Sequence, residues 1–423
     1  QWHNGVLAWQ FATAQVEPPV PADGPQTAPT TSHFFGPDGL HAATVTDSPV
    51  VRADMGALSR RLLSRAVETG VEMLDSAEIM SVETDGEGRV RAIEIHRDGG
   101  HGRPLRLEAA LFVDASGRQG ALRDASPALR RWCADIRDQE LCSAGDHEFS
   151  VNDRDGARRF LERHGAEAGQ SVTMLGPAGG WSTRVVTLAE DLESAAVLVG
   201  CIASGPGRTA PRLQADARAD LPWLGDPRSG AFGMIPLRRP FARFTAPGLA
   251  LVGDAASQVF PAHGSGIGLG LMAGTLLAKT VAGADDCGDE SVLWGYQFHF
   301  QHTYGGTLAA HESLRRMTTE LGTNGVRDMI RAGLIDAEVI RAGLDQRWHL
   351  PGPAAASAAA LRLVGVPAAA TKMVPRMVRA RRLSTIGTRH PASVDLAALA
   401  RWDAKIRRLL GTLPSPSDRP GRG

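Results

Sequence analysis

The stretch "GDAASQVFPAHGSGIGLG", residues 253–270, sets five glycines around a single aspartate. Ahead of it runs "LALV", Leu249–Val252, a short apolar run of the kind that forms a buried parallel strand. Behind it, "LMAGTLLAKTVAGA" is small and apolar and predicts a helix beginning near Gly266. Strand, polar clearing and helix in that order suit an oxygen-rich ligand. Gly253 and Asp254 close the strand at its carboxyl end, where open sheets bind their ligands, and the carboxylate accepts hydrogen bonds from hydroxyls. Gly264 and Gly266 let backbone N–H groups come close, because no Cβ intervenes. The first amides of the helix, from Ile267 onward, lack internal partners and favour negative charge. Pro261 stiffens the approach. Glycine before an apolar helix also serves tight packing, so the complete string carries the inference and the glycines alone do not.

Working outward, "VRADMGALSRRLLSRAVETG", residues 51–70, predicts a helix capped by Asp54, with Leu58, Leu62 and Ala66 on one face and a stop at Gly70. "VEML", residues 71–74, reads as a strand. Residues 79–95 alternate around an acidic glycine turn at Asp85–Gly88 and predict a hairpin. "LEAALFVDASG" predicts one strand from Leu107 into Asp114. From about 130 to 235 the texture changes: "SVTMLG", "WSTRVVTL" and "AAVLVGCIA" read as an antiparallel sheet broken by charged helices near 153–168 and 212–221.

The expected architecture is therefore α/β, an incomplete Rossmann-like domain with an inserted antiparallel-sheet domain and a helical C-terminal region. The expected boundaries are 1–49, an irregular segment with a short strand pair near "SHFF"; 50–129, the first part of the nucleotide domain; 130–235, the substrate domain; 236–290, the second part; and 291–423, helical, with the last ten residues disordered.

Lys+Arg equals Asp+Glu at 46 each, and there are two tyrosines in 423 residues, which argues against a nucleic-acid surface. The four cysteines, Cys133, Cys142, Cys201 and Cys287, form no CxxC pair, so neither zinc nor a disulfide framework is expected and a reducing, cytoplasmic compartment fits. His299, His302 and His311 read as surface or packing residues, and no metal is implied. No signal peptide or membrane span is legible.

"GDAASQVFPAHGSGIGLGLMAGTLLA", residues 253–278, closely resembles the second FAD-binding motif of the family that holds geranylgeranyl reductases, FixC-type flavoproteins, flavin-dependent halogenases and aromatic hydroxylases. "LFVDASGRQGALR" resembles the family's middle motif, "FGMIPLRRP" its return from the substrate domain, and "WGYQFHFQHTYGGTL" the helix that follows the cofactor domain in the reductase branch. The resemblance implies FAD, with Asp254 on the ribityl chain and the backbone from Pro261 to Ile267 around the ring. It places Arg52, Asp114, Gly117 and Gly253 beside the dinucleotide. The helix start would face the pyrimidine edge of the ring, where negative charge develops on reduction.

The family's opening element, a strand followed by GxGxxG, is not legible before Arg52; since Gln1 is not an initiator and the later motifs follow in order, a truncated sequence is the favoured expectation. The alternatives are a chain that has lost FAD, or one completed by a separate polypeptide.

The reaction expected from the resemblance is hydride transfer to an apolar small molecule, prenyl- or polyketide-like, with NADPH or NADH as electron donor. A monooxygenase is the second reading and a flavin-free binding protein the third. Trp181 lacks a tryptophan partner two residues away, which argues against a halogenase. His263, inside the clearing, is the candidate proton donor, against the plainer role of bonding the loop backbone. Arg238 and Arg239 are read either as an anchor for an anionic head group or as a solvated pair. "KMVPRMVRARRL", residues 372–383, is a charged solvated face or a peripheral membrane contact.

Overall fold

Leu249–Leu251 forms the strand its apolar run predicts, fully buried, and pairs in parallel with Phe112–Asp114 so that Leu251 stands opposite Asp114. A computed structural model describes residues 3–20, 31–97, 103–204, 208–348 and 353–411. Thr245–Ala246 completes a three-stranded sheet on the far side of Leu249–Leu251. The helix Ile267–Val281 and the helix Glu290–Phe300 pack with this sheet in one core that includes Phe244, Leu269, Met272, Ala273, Leu293 and Tyr296. Both strands therefore end at the same rim, and the glycine clearing leaves from it.

The hairpin forms as expected, Ala77–Thr84 against Val90–Arg97, with Leu105–Glu108 as a third strand. Two local expectations fail. Residues 71–74 are not a strand, because Gly70 in the left-handed region ends the helix Met55–Glu68 and Val71 and Met73 stay exposed. The expected single strand from Leu107 to Asp114 is two, Leu105–Glu108 and Phe112–Asp114, which belong to different sheets. Asp54 caps its helix as predicted, its carboxylate accepting from Gly56 N at 2.8 Å and Ala57 N at 3.0 Å.

The second layer is a seven-stranded sheet in the order Leu224–Pro236, Leu141–Val151, Ser194–Ile202, Ser182–Leu188, Ser171–Leu175, Ser32–Phe35, His41–Val45. It is mixed, not purely antiparallel: Ser171–Leu175 runs parallel to Ser32–Phe35. Residues 1–49 are thus less irregular than expected. They supply the strand pair at "SHFF" to this sheet, together with a strand His3–Leu7 paired to Val50–Asp54 and a helix Ala8–Ala14. Helices Arg154–Arg163 and Ala210–Asp220 cover one face over a core of Val172, Val186, Val197, Val199 and Phe149.

The C-terminal region is helical, with Gly306–Arg331 packed along Pro367–Ser384 and the amphipathic Leu396–Leu410 burying Leu399, Trp402 and Ile406. The expectation for the last ten residues lies outside the described ones. Among the described residues no helix is long and apolar enough to cross a membrane.

Candidate active site

One parallel strand ends in Asp114 and the other, ending at Leu251, leads into the turn Gly253–Ala256 that carries Asp254; the surroundings of the two aspartates differ. Asp114 is buried, and its carboxylate accepts from Ser116 N at 3.1 Å, Ser116 Oγ at 2.6 Å, Leu122 N at 2.8 Å and Arg123 N at 3.0 Å. Four donors of its own loop occupy it, so Asp114 builds that loop and Gly117 forms the turn at a φ of 77°. Arg123 then fastens the loop to the neighbouring tip, donating to Arg118 O, Gln119 O and Ala255 O.

Asp254 has no such partners. No hydrogen bond to its carboxylate is found among the described residues, and burial pushes its pKa up to about 6. A Cβ at Gly266 would stand 3.1 Å from Asp254 Oδ1, so the carboxylate lies against the first residue of the clearing helix. Gly253 beside it has a φ of 67°, and a Cβ there would meet open space. The tip is rigid from behind: Gly253 N donates to Gln258 Oε1 at 2.8 Å, Gln258 Nε2 to Tyr296 Oη at 2.9 Å, and Tyr296 Oη to Leu251 O at 3.0 Å. Gln258 and Tyr296 were not anticipated from the sequence, although both lie inside quoted motifs.

The clearing folds on Phe260, whose N donates to Ser265 O at 3.0 Å and whose O accepts from Gly264 N at 2.9 Å. Gly264 takes a φ of 81° and faces Leu237 and Ile235 of the return strand. The helix start at Gly266 and Ile267 carries no side-chain cap. Its neighbour Gly268 is closely approached by Gln10, whose Oε1 accepts from Leu7 N at 3.3 Å.

Opposite stands an apolar wall. Trp181 packs with Cys142, Ile202, Leu237 and Ile235, and its Nε1 donates to Ala262 O at 2.7 Å, which ties the seven-stranded sheet to the clearing. On the edge strand Phe232 and Met234 remain exposed. Arg52 is half-buried on the strand Val50–Asp54, where its charge acts on Asp146 of the wall sheet; burial raises that carboxyl to about 6 and Arg52 draws it back.

Pro261 is buried at the mouth of the loop. His263 turns away from the strand tips. Its ring lies 4.8 Å from Phe260 and its Nε2 is 3.2 Å from Gly343 O, at the helix Ala337–Leu344. The ring is open to solvent on one side, yet the surrounding protein mass lowers its pKa, favouring the neutral form.

Arg239 is not solvated, since it enters a buried ionic cluster, and Arg238 lies half-buried beside that cluster with its Nε unpartnered. Arg239 pairs with Asp403 and its N donates to Glu312 Oε2 at 2.8 Å; Arg238 lies over the Phe241 ring at 4.4 Å. Burial works against ionising Glu312, but Arg316 and Arg238 outweigh it and hold the carboxyl below its usual range. The partners come from the helices Gly306–Arg331 and Leu396–Leu410, far along the chain, which is why the pair reads as solvated in isolation.

No family model matches the chain. It is similar to the digeranylgeranylglycerophospholipid reductase of Sulfolobus acidocaldarius, 28% identical over 107 residues, which are 25% of this chain and 24% of that protein. It is also similar to digeranylgeranylglycerophospholipid reductase 1 of Methanopyrus kandleri, 25% identical over 274 residues, 64% of this chain and 68% of that protein. The match thus spans about a quarter of the first relative and about two thirds of the second. Among solved structures, a geranylgeranyl bacteriochlorophyll reductase-like protein of Thermoplasma acidophilum has the same fold, with a TM-score of 0.65 at 14% identity over 81% of this chain and 85% of that one. In sequence the chain is thus similar to reductases of the geranylgeranyl type, and in fold to a geranylgeranyl bacteriochlorophyll reductase-like protein.

Proposed function

We propose that the chain binds FAD at the strand tips and transfers hydride between the flavin and an apolar small molecule held against the Trp181 wall. The observation that carries this is the Asp254 carboxylate, half-buried in the turn just beyond a parallel strand, raised in pKa by its burial and with no protein donor among the described residues. A buried carboxylate without a partner is costly, and ligand hydroxyls would relieve it. The residues fit the cofactor. Gly117 and Gly253 leave open space above both tips, and the uncapped start of Ile267–Val281 supplies amides for an anionic edge. FAD, when bound, supplies the redox chemistry. The chain's own part is to orient and exclude water: Asp254 holds hydroxyls, Gly264 and Gly266 pack the loop closely against Ile235, Leu237 and Val259, and Ile235, Leu237 and Trp181 keep the opposite side dry. His263 is placed to exchange a proton only at the rim of the clearing, on the side of Gly343.

The reductase relatives named above support the hydride reading over monooxygenation. Exposed Leu361, Val364, Val374, Met377 and Val378 near Lys372, Arg381 and Arg382 support peripheral contact with an anionic lipid surface. The test is an absorbance spectrum of the purified protein with added FAD, followed by reduction with NADPH or NADH. Bound flavin that is reduced and then reoxidised slowly in air fits the proposal. Oxygen consumption coupled to substrate favours the monooxygenase, and absence of any flavin shift refutes both.

A further inference from the structure

Behind the clearing lies a cavity of about 390 Å³, on the side away from the Trp181 wall. Its apolar surface comes from Phe260, Leu269 and Leu308, and Phe260, fully buried, is the partition between cavity and clearing. The remaining lining is rich in donors. Trp9, on the helix Ala8–Ala14, and Trp348, beyond the helix Ala337–Leu344, both face it, and each has a buried Nε1–H with no acceptor. Arg347, an exposed residue, also lines it at the mouth, and no carboxylate pairs with its guanidinium among the described residues. Among the described residues no acidic side chain lines the cavity.

An indole N–H donates only, so neither can be satisfied by a neighbour that also donates. Buried polar groups in folded proteins nearly always have partners, and two orphaned donors in one cavity are a pattern that asks for an acceptor. The backbone around it is irregular in a way that often marks ligand sites. A π-helical turn, Gln301–Gly305, interrupts the helices on either side and carries Thr303 and Tyr304, both of which line the cavity. The floor is braced by Gln10, whose Nε2 donates to Gln346 Oε1 at 2.9 Å. The volume lies within the roughly 300–1,000 Å³ of small-molecule sites.

We propose that this cavity is a second ligand site, which takes the oxyanion head of a small amphipathic molecule, with the indole N–H groups of Trp9 and Trp348 and the Arg347 guanidinium as donors and Phe260, Leu269 and Leu308 against its short apolar part. The site does not need flavin to be present. Tilted and edge-on ring contacts join it to the clearing: Phe260 lies 4.8 Å from His263 and 4.5 Å from His311, and His311 meets Trp348 edge-on at 5.8 Å.

The test is calorimetric titration of the full chain with octanoate, octyl phosphate, octylammonium and octanol, with flavin content read separately by absorbance. Either anion is expected to bind at least about tenfold more tightly than octylammonium, because the lining offers an arginine and two indole donors and, among the described residues, no carboxylate. Trp9→Phe and Trp348→Phe keep a ring and remove one donor each. Each is expected to weaken the anion about three- to tenfold while leaving octanol less affected. Thr307→Phe and, as a second filling variant, Leu308→Phe are expected to abolish binding of the anions while thermal unfolding stays cooperative. Equal binding of octanoate and octylammonium overturns the proposal, as does anion binding untouched by both indole replacements or by the filling variant that folds. Since octanoate is titrated with and without FAD, loss of the flavin reading leaves this result standing and the converse also holds.

Discussion

Asp114 ends one parallel strand and Asp254 lies three residues past the end of its neighbour, in the turn Gly253–Ala256, yet one carboxylate accepts four hydrogen bonds from its own loop and the other accepts none among the described residues. The same residue type near one rim therefore does two jobs. Asp114 fixes backbone; Asp254 is left available, at a cost visible in its raised pKa. The lesson concerns what a motif encodes. The sequence patterns around both residues point to a dinucleotide site, and only the hydrogen-bond inventory separates the residue that shapes the site from the one that faces it.

The largest effect that would sharpen this contrast is expected from Asp114→Ala. It strands two buried amides, Leu122 N and Arg123 N, and frees the loop that Arg123 clamps to Ala255. A loss of about 3–5 kcal/mol is expected in urea unfolding, since charged acceptors and buried donors are both lost. A loss below about 1 kcal/mol would mean the loop does not depend on it.

Asp254→Asn should go the other way. Burial pushes the native carboxyl up to about 6, above its ordinary value, so the folded state holds its proton more tightly than the unfolded one. Folding stability attributable to this group is then full below about pH 4 and falls as pH rises through about 6. The asparagine variant lacks that fall and should be more stable than the parent by about 1–3 kcal/mol at pH 7, with the difference vanishing near pH 4. The same variant should lose FAD affinity. A variant that is less stable at pH 7 would show that the carboxylate already has a structural role, and the contrast with Asp114 would be gone.

Gly253→Ala probes the space at the open tip. Its φ of 67° costs a side chain about 1–2 kcal/mol, although a Cβ would meet nothing. Flavin binding is expected to suffer more than stability, with at least about a tenfold rise in Kd, because the new methyl enters the space above the tip. Unchanged FAD binding would move the cofactor away from Gly253.

The pattern of strand, glycine clearing and small-residue helix was legible because each part depends on near neighbours in sequence: Leu249–Leu251, the positive φ of Gly253 and Gly264, the uncapped Ile267 helix. The seven-stranded sheet was legible only in part. Ser32–Phe35 pairs with Ser171–Leu175 across more than a hundred residues, and nothing in either strand states its partner. Arg239 illustrates the same limit at the level of one side chain, since its burial depends on Asp403 from the last helix.

Trp181→Phe is expected to have the smallest effect and asks whether the wall or the strand tip shapes the clearing. The ring and its packing with Ile235 and Leu237 remain, and only the donation to Ala262 O at 2.7 Å is lost. One hydrogen bond to a neutral carbonyl is worth about 1 kcal/mol, and the carbonyl lies in a loop already tied by the Phe260 bonds to Gly264 and Ser265. Stability should fall by about that much, with FAD affinity unchanged, if Gly253, Gln258 and Tyr296 hold the tip independently of the wall. A loss approaching that of Asp114→Ala, accompanied by loss of flavin, would mean that the clearing takes its shape from the seven-stranded sheet, and the open tip would then be a property of two layers pressed together.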